Sequence, residues 1–283
     1  MSAMLETMIK SIPPLLLAAT AGYLPFRAGV LNIGLEGLMI VGAFAGFLAS
    51  AATGSWLLGV LTAALVAGAA AAIFAWTVQS LESNIFLSGL GLNLAAAGLV
   101  GIASQVGFGS KGVLRPEMIA NRTFPSGNST AGFLLAAAAF VLMAYMLRKS
   151  RAGHLLISAG ESEENLETFG ASLKRIRLIA LTLSGIGCGA AGALLSLDIG
   201  AYVPNMTGGR GWIALVALYI AAGRPAGLLG TVLLFAAAGA AATSFQGISG
   251  VPDSLLLAAP FVITLAGLLA SSALRGRLGK GRK

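Results

Sequence analysis

Residues 37–81 read GLMIVGAFAGFLASAATGSWLLGVLTAALVAGAAAAIFAWTVQSL, a run without a single Asp, Glu, Lys or Arg. A helix needs about 20 mostly apolar residues to cross the hydrocarbon core of a bilayer. The run is long enough for two crossings, with a turn near Thr53-Gly54-Ser55. Its apolar residues do not alternate with polar ones, which argues against barrel strands. The stretch predicts two antiparallel membrane helices.

The same pattern continues on both sides. Further charge-free runs occupy 11–26, 83–110, 123–147, 178–197, 225–252 and 254–274. Over all 283 residues, 57% are apolar and 10% charged, whereas an ordinary soluble domain carries about 25% charged residues. So little charge cannot coat a water-facing surface, and a chain this apolar would not stay solvated in a disordered state. The expected fold class is all-α: a polytopic transmembrane helical bundle of about eight to ten spans, with a broken second helix and a short cytoplasmic coupling helix, built as one domain over 1–283. The spans read as 11–25, 28–53, 56–78, 84–105, 131–147, 178–197, 211–223, 226–247 and 254–274. Lys10, the following apolar run and Ala19-Thr20-Ala21 mimic a secretory signal, but Pro13-Pro14 and the immediate next span favour a retained helix.

The net charge of +8 is concentrated in two places. Arg148, Lys149, Arg151, Lys174, Arg175 and Arg177 bracket the loop 148–177, and Arg275, Arg277, Lys280, Arg282 and Lys283 form the tail 275–283. Juxtamembrane clusters of this kind mark the cytoplasmic side, so they argue for a lipid boundary and against a nucleic-acid partner. Both clusters are cytoplasmic only if an even number of crossings separates them, which requires 211–223 to count as one. Loops 106–130 and 199–210 are then external. The Asn-x-Ser/Thr sites at Asn121, Asn128 and Asn205 read as turn-forming asparagines.

Catalytic groups are scarce. One histidine, His154, and one cysteine, Cys188, cannot form a His-x-x-x-His or Cys-x-x-Cys metal site, and there is no disulfide framework. The chain has neither a phosphate-binding Gly-x-x-x-x-Gly-Lys-Ser/Thr loop nor a Gly-x-Ser-x-Gly elbow. No cofactor or metal is expected, and an intramembrane enzyme is the weaker class of function.

The sharpest polar feature is Glu36, within Gly29-Val30-Leu31-Asn32-Ile33-Gly34-Leu35-Glu36-Gly37-Leu38-Met39. A carboxylate in a spanning segment faces the protein interior or a water-filled cavity. Gly34 and Gly37 weaken the helix around it, as in the broken helices of transport sites. Glu36 either contacts a solute or pairs structurally with Arg27 or Arg210. Asn32 and Asn93 are amides that either join helices or face a pathway. Gly42 with Gly46, and Gly185 with Gly189 and Gly192, form small-residue stripes on which helices can pack closely.

The Gly29–Gly37 segment resembles the Gly-Val-hydrophobic-Asn-Ile-Gly-Leu-Glu-Gly stretch of ABC importer permeases in the branched-chain amino acid, ribose and nucleoside superfamily. Four other segments agree in order: Ser88-Gly89-Leu90-Gly91-Leu92-Asn93, Gly160-Glu161 with Gly170, Leu183-Ser184-Gly185 through Gly192-Ala193, and Pro204-Asn205-Met206-Thr207-Gly208-Gly209-Arg210-Gly211. The resemblance, closest to the nucleoside and simple-sugar branch, covers about residues 15–270.

It implies a permease subunit in a bacterial cytoplasmic membrane. The implied partners are a second permease subunit, an ABC ATP-binding subunit that consumes the ATP, and an extracytoplasmic substrate-binding protein. Gly160, Glu161, Glu163, Glu164, Glu167 and Gly170 would form the coupling segment, though this stretch is more acidic than is usual. Pro204, Asn205 and Arg210 belong to the external loop. A nucleoside pathway would combine ring surface with a few amides, and Asn32, Glu36, Phe44, Phe86 and Asn93 are the candidates. The alternatives are a permease for branched-chain amino acids and an ion-coupled transporter using Glu36.

Overall fold

The computed structural model describes residues 2–120, 124–125, 129–161, 166 and 171–244. Helix α1 (Ser2–Arg27) runs through Pro13, Pro14 and Pro25. After a non-helical stretch at 28–34 come α2 (Leu35–Thr53) and α3 (Trp56–Ser80). The turn between them lies where the sequence places it. Gly54 adopts a left-handed φ of 71° and closes α2, while the Ser55 side chain accepts from Leu58 N to cap α3. Helix α4 (Ile85–Phe108) starts at Asn84, whose side chain accepts from the amides of Phe86 and Leu87. The remaining helices are α5 (Ser129–Lys149), α6 (Arg151–Glu161), α7 (Leu173–Ile199), α8 (Arg210–Ala221) and α9 (Pro225–Ser244).

Six of these, α2, α3, α4, α5, α7 and α9, are long and apolar enough to cross a membrane. Two more stretches run the height of the bundle. Helix α1 passes from Lys10, which shares a crevice with Asp198, to Arg27, whose guanidinium donates to Gly223 O (3.1 Å). Residues 200–221 return from the Asp198 end to the Arg27 end as a loop followed by α8.

The second span is broken as expected, with residues 28–34 leaving the helical path ahead of α2, whereas 211–223 is corrected: it is not a full crossing. Helix α8 has 12 residues, about 18 Å at 1.5 Å per residue, short of a hydrocarbon core of about 30 Å. In each case a non-helical stretch supplies the rest of the crossing. The backbone there is held by Gly29 (φ 75°) in the first stretch and by Asn205, Gly208 and Gly209 (φ 57°, 53° and 79°) in the second. The expected span 254–274, the tail 275–283, and Asn121 and Asn128 lie outside the described residues.

The glycine stripes do what small residues do in lipid. A Cβ on Gly42 would collide with the Gly189 backbone, one on Gly189 with Ala63 O, and one on Gly192 with Met39 O. Gly185 meets Ala71, and a Cβ on Gly46 would lie 2.7 Å from that of Ala193. Helices α2, α3 and α7 therefore touch backbone to backbone and gain dispersion contacts, since lipid supplies no hydrophobic drive between helices. Helix α4 is packed far less, and exposes Leu94, Leu99 and Val106.

The two ends of the bundle are tied differently. At the basic end, Lys174 donates to Glu82 at 2.8 Å. That hydrogen bond and the ammonium charge hold the exposed Glu82 carboxyl below the usual carboxylate range. At the other end, Leu114 and Tyr202 form an isolated antiparallel bridge. There Ser129 donates to Asp198 (3.0 Å), and Phe124 packs on Phe47 (ring centroids 5.6 Å).

Two outcomes follow from this packing. Gly192→Leu should abolish recovery of monodisperse protein from membranes, because overpacking against backbone has no rotamer to relax into. Gly230→Leu should not, since among the described residues nothing lies within 4 Å of a Cβ there; size-exclusion profiles in detergent compare the two. Because its folded pKa is depressed, Glu82 contributes its small stabilisation above the ordinary carboxylate range. That contribution is lost as pH falls through the depressed value. In Glu82→Gln, thermal melts should therefore lose part of their dependence on acid pH.

Candidate functional site

The two interrupted crossings meet at one carboxylate. Glu36 sits in the first turn of α2 and is only 7% exposed. Its Oε1 accepts from the Thr207 hydroxyl (2.5 Å) and from Gly209 N (3.0 Å), and its Oε2 accepts from Gly211 N (2.7 Å). Gly209 is the residue before α8, and Gly211 lies in its first turn. Glu36 therefore caps α8 from another helix. It supplies acceptors to amides that the first turn leaves without intrahelical partners and places negative charge at the positive end of the helix dipole. Closeness is required for this: a Cβ on Gly211 would lie 2.5 Å from Glu36 N.

A structural role for Glu36 is one of the two sequence readings, but the partner differs from the one expected. Among the described residues Glu36 makes no ion pair with Arg27 or Arg210. Arg27 reaches Gly223 O, and Arg210 curls back to donate to Met206 O and Thr207 O (both 3.1 Å). Arg210 thus ties the loop to its own helix, while backbone amides take the carboxylate.

Asn93 repairs the other break. A helix continued back through 33–37 would join Gly37 N to Ile33 O. Instead, Asn93 Oδ1 accepts from Gly37 N (2.7 Å) and Asn93 Nδ2 donates to Ile33 O (2.9 Å). One carboxamide from α4 is inserted where a single backbone hydrogen bond would otherwise run. Gly37 permits the approach, since a Cβ there would be 2.8 Å from Asn93 Cα. Asn32 holds the same stretch from within: its Oδ1 accepts from Gly34 N (3.0 Å), and its Nδ2 donates to Ser184 of α7 (3.0 Å). Buried backbone groups in a membrane must find partners inside the protein, and these side chains provide them.

Asn32, Glu36 and Asn93 are thus brought together, each committed to the backbone. Phe44 lies further along α2 and meets Tyr202 edge-on (5.2 Å, 77°). Phe86 is apart from all of these, 57% exposed at the start of α4.

At the basic end, Gly160 of α6 packs against Arg27 O and Gly29 N, and Arg177 Nε donates to Ala28 O (3.2 Å). Glu161 ends α6, and Leu166 is buried at 1% exposure. Glu163, Glu164, Glu167 and Gly170 lie outside the described residues. Pro204 and Asn205 are exposed on the loop that reaches Glu36.

Thr207, Gly209, Gly211 and Ser184 were not singled out as partners for these groups. A signal for three of them existed: Thr207-Gly208-Gly209-Arg210-Gly211 reads as a glycine-rich approach to a helix N-terminus, an anion-seeking geometry.

Glu36→Ala should leave buried donors unpaired and cost about 3 kcal/mol or more, read as a lower melting temperature of the purified chain. Glu36→Gln retains one acceptor and should fall between it and the parent. Asn93→Leu should destabilise similarly, while Phe86→Ala should not.

The comparisons agree with this architecture. The chain matches the family described as branched-chain amino acid transport system / permease component over residues 4–265. It is 35% identical over 255 residues to a putative glucose ABC transporter permease protein of Haloferax volcanii, covering 83% of this chain and 75% of the relative. It is 30% identical over 284 residues to the guanosine ABC transporter permease protein NupQ of Bacillus subtilis, covering 90% and 87%. With the nucleoside ABC transporter permease protein NupC of Lactococcus lactis it shares 29% identity over 276 residues, covering 89% and 86%. No solved structure matches significantly. A multi-pass helical chain with a family match over nearly its whole length and broken crossings at its centre is a member of the ABC-transporter permease family for branched-chain amino acids and related solutes.

Proposed function

We propose that this chain is the permease subunit of an inward-directed ABC importer for a nucleoside or a simple sugar, in a bacterial cytoplasmic membrane. The relatives named for nucleosides, guanosine and glucose support that substrate class over branched-chain amino acids. The observation that carries the mechanism is the meeting of two interrupted crossings at Glu36. Discontinuous helices of this kind are the usual frame of a transport site.

The basic end is the cytoplasmic one, by the positive-inside rule, and an ATP-binding subunit docks there against the 161–170 segment. A second permease subunit completes the pathway, and a binding protein delivers solute to the 106–130 and 199–210 loops. ATP binding favours one orientation of the permease only by the difference in its affinity for the two.

The chain's own residues give that difference a route. Gly160 sits on the Arg27–Gly29 hinge, and Arg177 grips Ala28 from α7. The hinge leads through 28–34 to Glu36, and Glu36 holds the loop that reaches the opposite end at Tyr202. A displacement of α6 is passed along a strip of backbone that is non-helical and therefore able to rotate.

The ion-coupled reading fits less well, because both oxygens of Glu36 already accept hydrogen bonds. In vesicles holding the complete transporter, uptake should stop with vanadate and persist with a protonophore; the opposite result would overturn the proposal. Gly160→Leu, which cannot fit against Arg27 O, should cut uptake at least tenfold while ATP hydrolysis continues. Parallel phosphate-release and uptake assays measure the two.

A further inference from the structure

A crevice of about 370 Å³ opens at the basic end, where the turn between α3 and α4 meets the start of α7. Val78, Ile85 and Leu173 contribute an apolar wall, and Gln79, Lys174 and Arg177 a polar one. Sites for small ligands run from about 300 to 1,000 Å³, so the space suits one small group. Trp76, one turn before Gln79, is half exposed (51%), as an indole is at the level of lipid headgroups.

Helix α7 starts under a conflict of charge. Its N-cap, Ser172, makes no side-chain hydrogen bond, and its first turn holds no acid. Lys174, Arg175 and Arg177 instead add positive charge near the positive end of the helix dipole, where an anion belongs. Glu82 is the one carboxylate of the lining, and it answers Lys174 (2.8 Å). Both partners are well exposed, so the pair is weak and Lys174 stays open to a second anion. Arg177 spends its Nε on Ala28 O (3.2 Å). Among the described residues its terminal nitrogens make no hydrogen bond, and no carboxylate lies within 4 Å of them.

Gln79 is the independent sign of a ligand. It is only 9% exposed, yet among the described residues its carboxamide has no hydrogen-bond partner. The amide is not sealed inside the protein; Gln79 lines the crevice, and the surface it keeps lies there. A nearly buried amide that the protein leaves unpaired beside three cations and an uncapped helix start is placed to meet an anion with further polar groups.

We propose that this crevice seats the phosphodiester of an anionic phospholipid. The phosphate lies between Arg177, Lys174 and the free amides at the start of α7, and headgroup hydroxyls reach the Gln79 carboxamide. Lipid is the source because Leu81 and Phe86, at the two ends of the α3–α4 turn, are exposed (60% and 57%) and flank the crevice with surface for acyl chains. A free anion has no use for that flank, whereas basic pockets between helices at the cytoplasmic boundary hold acidic headgroups. Phosphatidylglycerol supplies both the charge and the hydroxyls. A choline headgroup brings a cation beside Arg177 and Lys174 and offers Gln79 no hydroxyl. The site is independent of which solute the chain carries.

The test is thermal melting of the full-length chain in a neutral detergent, titrated with phosphatidylglycerol, phosphatidylcholine or inorganic phosphate. Phosphatidylglycerol should raise the melting temperature saturably, and the other two should not at the same concentration. Gln79→Leu removes an amide without a protein partner, so it should fold as well as the parent. It should raise the half-saturating phosphatidylglycerol concentration at least about tenfold, the scale of one hydrogen bond to a charged group. Lys174→Gln should raise it about fivefold. Lys149→Gln, which removes the same charge from the exposed end of α5, should leave it unchanged.

An equal response to phosphatidylcholine, or equal losses in Lys174→Gln and Lys149→Gln, would reveal a diffuse attraction to the basic surface and overturn the site. A response to inorganic phosphate as strong as that to phosphatidylglycerol overturns lipid as the source. If Gln79→Leu fails to fold, the comparison of Lys174→Gln with Lys149→Gln decides. None of these outcomes bears on the permease reading, which the uptake assays test.

Discussion

Everything at the centre of this bundle depends on keeping backbone hydrogen-bonding groups satisfied where two crossings leave the helical path. Lipid offers no replacement partners, and each orphaned group costs several kcal/mol. Glu36 resolves the break ahead of α8 by accepting from Thr207, Gly209 and Gly211. Asn93 and Asn32 resolve the break ahead of α2. Because Glu36 also opens α2, the two repairs are adjacent in the chain, and neither half-helix can shift without disturbing the other.

Those repairs need side chains to be missing elsewhere. Gly37 admits Asn93, Gly211 admits Glu36, and Gly192 brings α7 onto the carbonyl of Met39. The resulting contrast is mechanical. Helices α2, α3 and α7 are locked backbone to backbone, whereas 28–34 and 200–209 are held by short backbone turns together with side-chain hydrogen bonds from Asn32, Asn93 and Glu36. A transporter has to alternate between shapes without losing its fold. Here one part is packed by glycine and the other is tied by amides and one carboxylate.

Much of this was legible before the structure. The charge-free run 37–81 placed two helices and their turn, and the glycine stripes fell on the contacts they suggest. Glu36, Asn32 and Asn93 stood out because polar side chains in lipid must have a reason to be there. Their partners were hidden, because periodicity describes a face and not the element opposite it. The break in the span 28–53 was legible from Gly34 and Gly37, but not its extent over 28–34, because a run of apolar residues does not record a pause in hydrogen bonding. Reading 211–223 as a full crossing failed for the complementary reason: parity requires that the chain cross there, but allows a loop to do half of it. Phe86 was chosen by residue type, and type carries no information about which side of α4 it occupies.

What the sequence determined by itself was the solvent, the order of the apolar segments along the chain, and the residues too polar to be there by accident. These follow from local composition, since transfer into lipid is decided residue by residue. What only the tertiary structure decided was the use made of those residues: that Glu36 meets amides and not an arginine, and that one carboxamide from α4 closes a gap in another helix. Such pairings join positions 56 to 175 residues apart. They depend on how closely glycines let the backbones approach, a distance that exists only once the helices have packed.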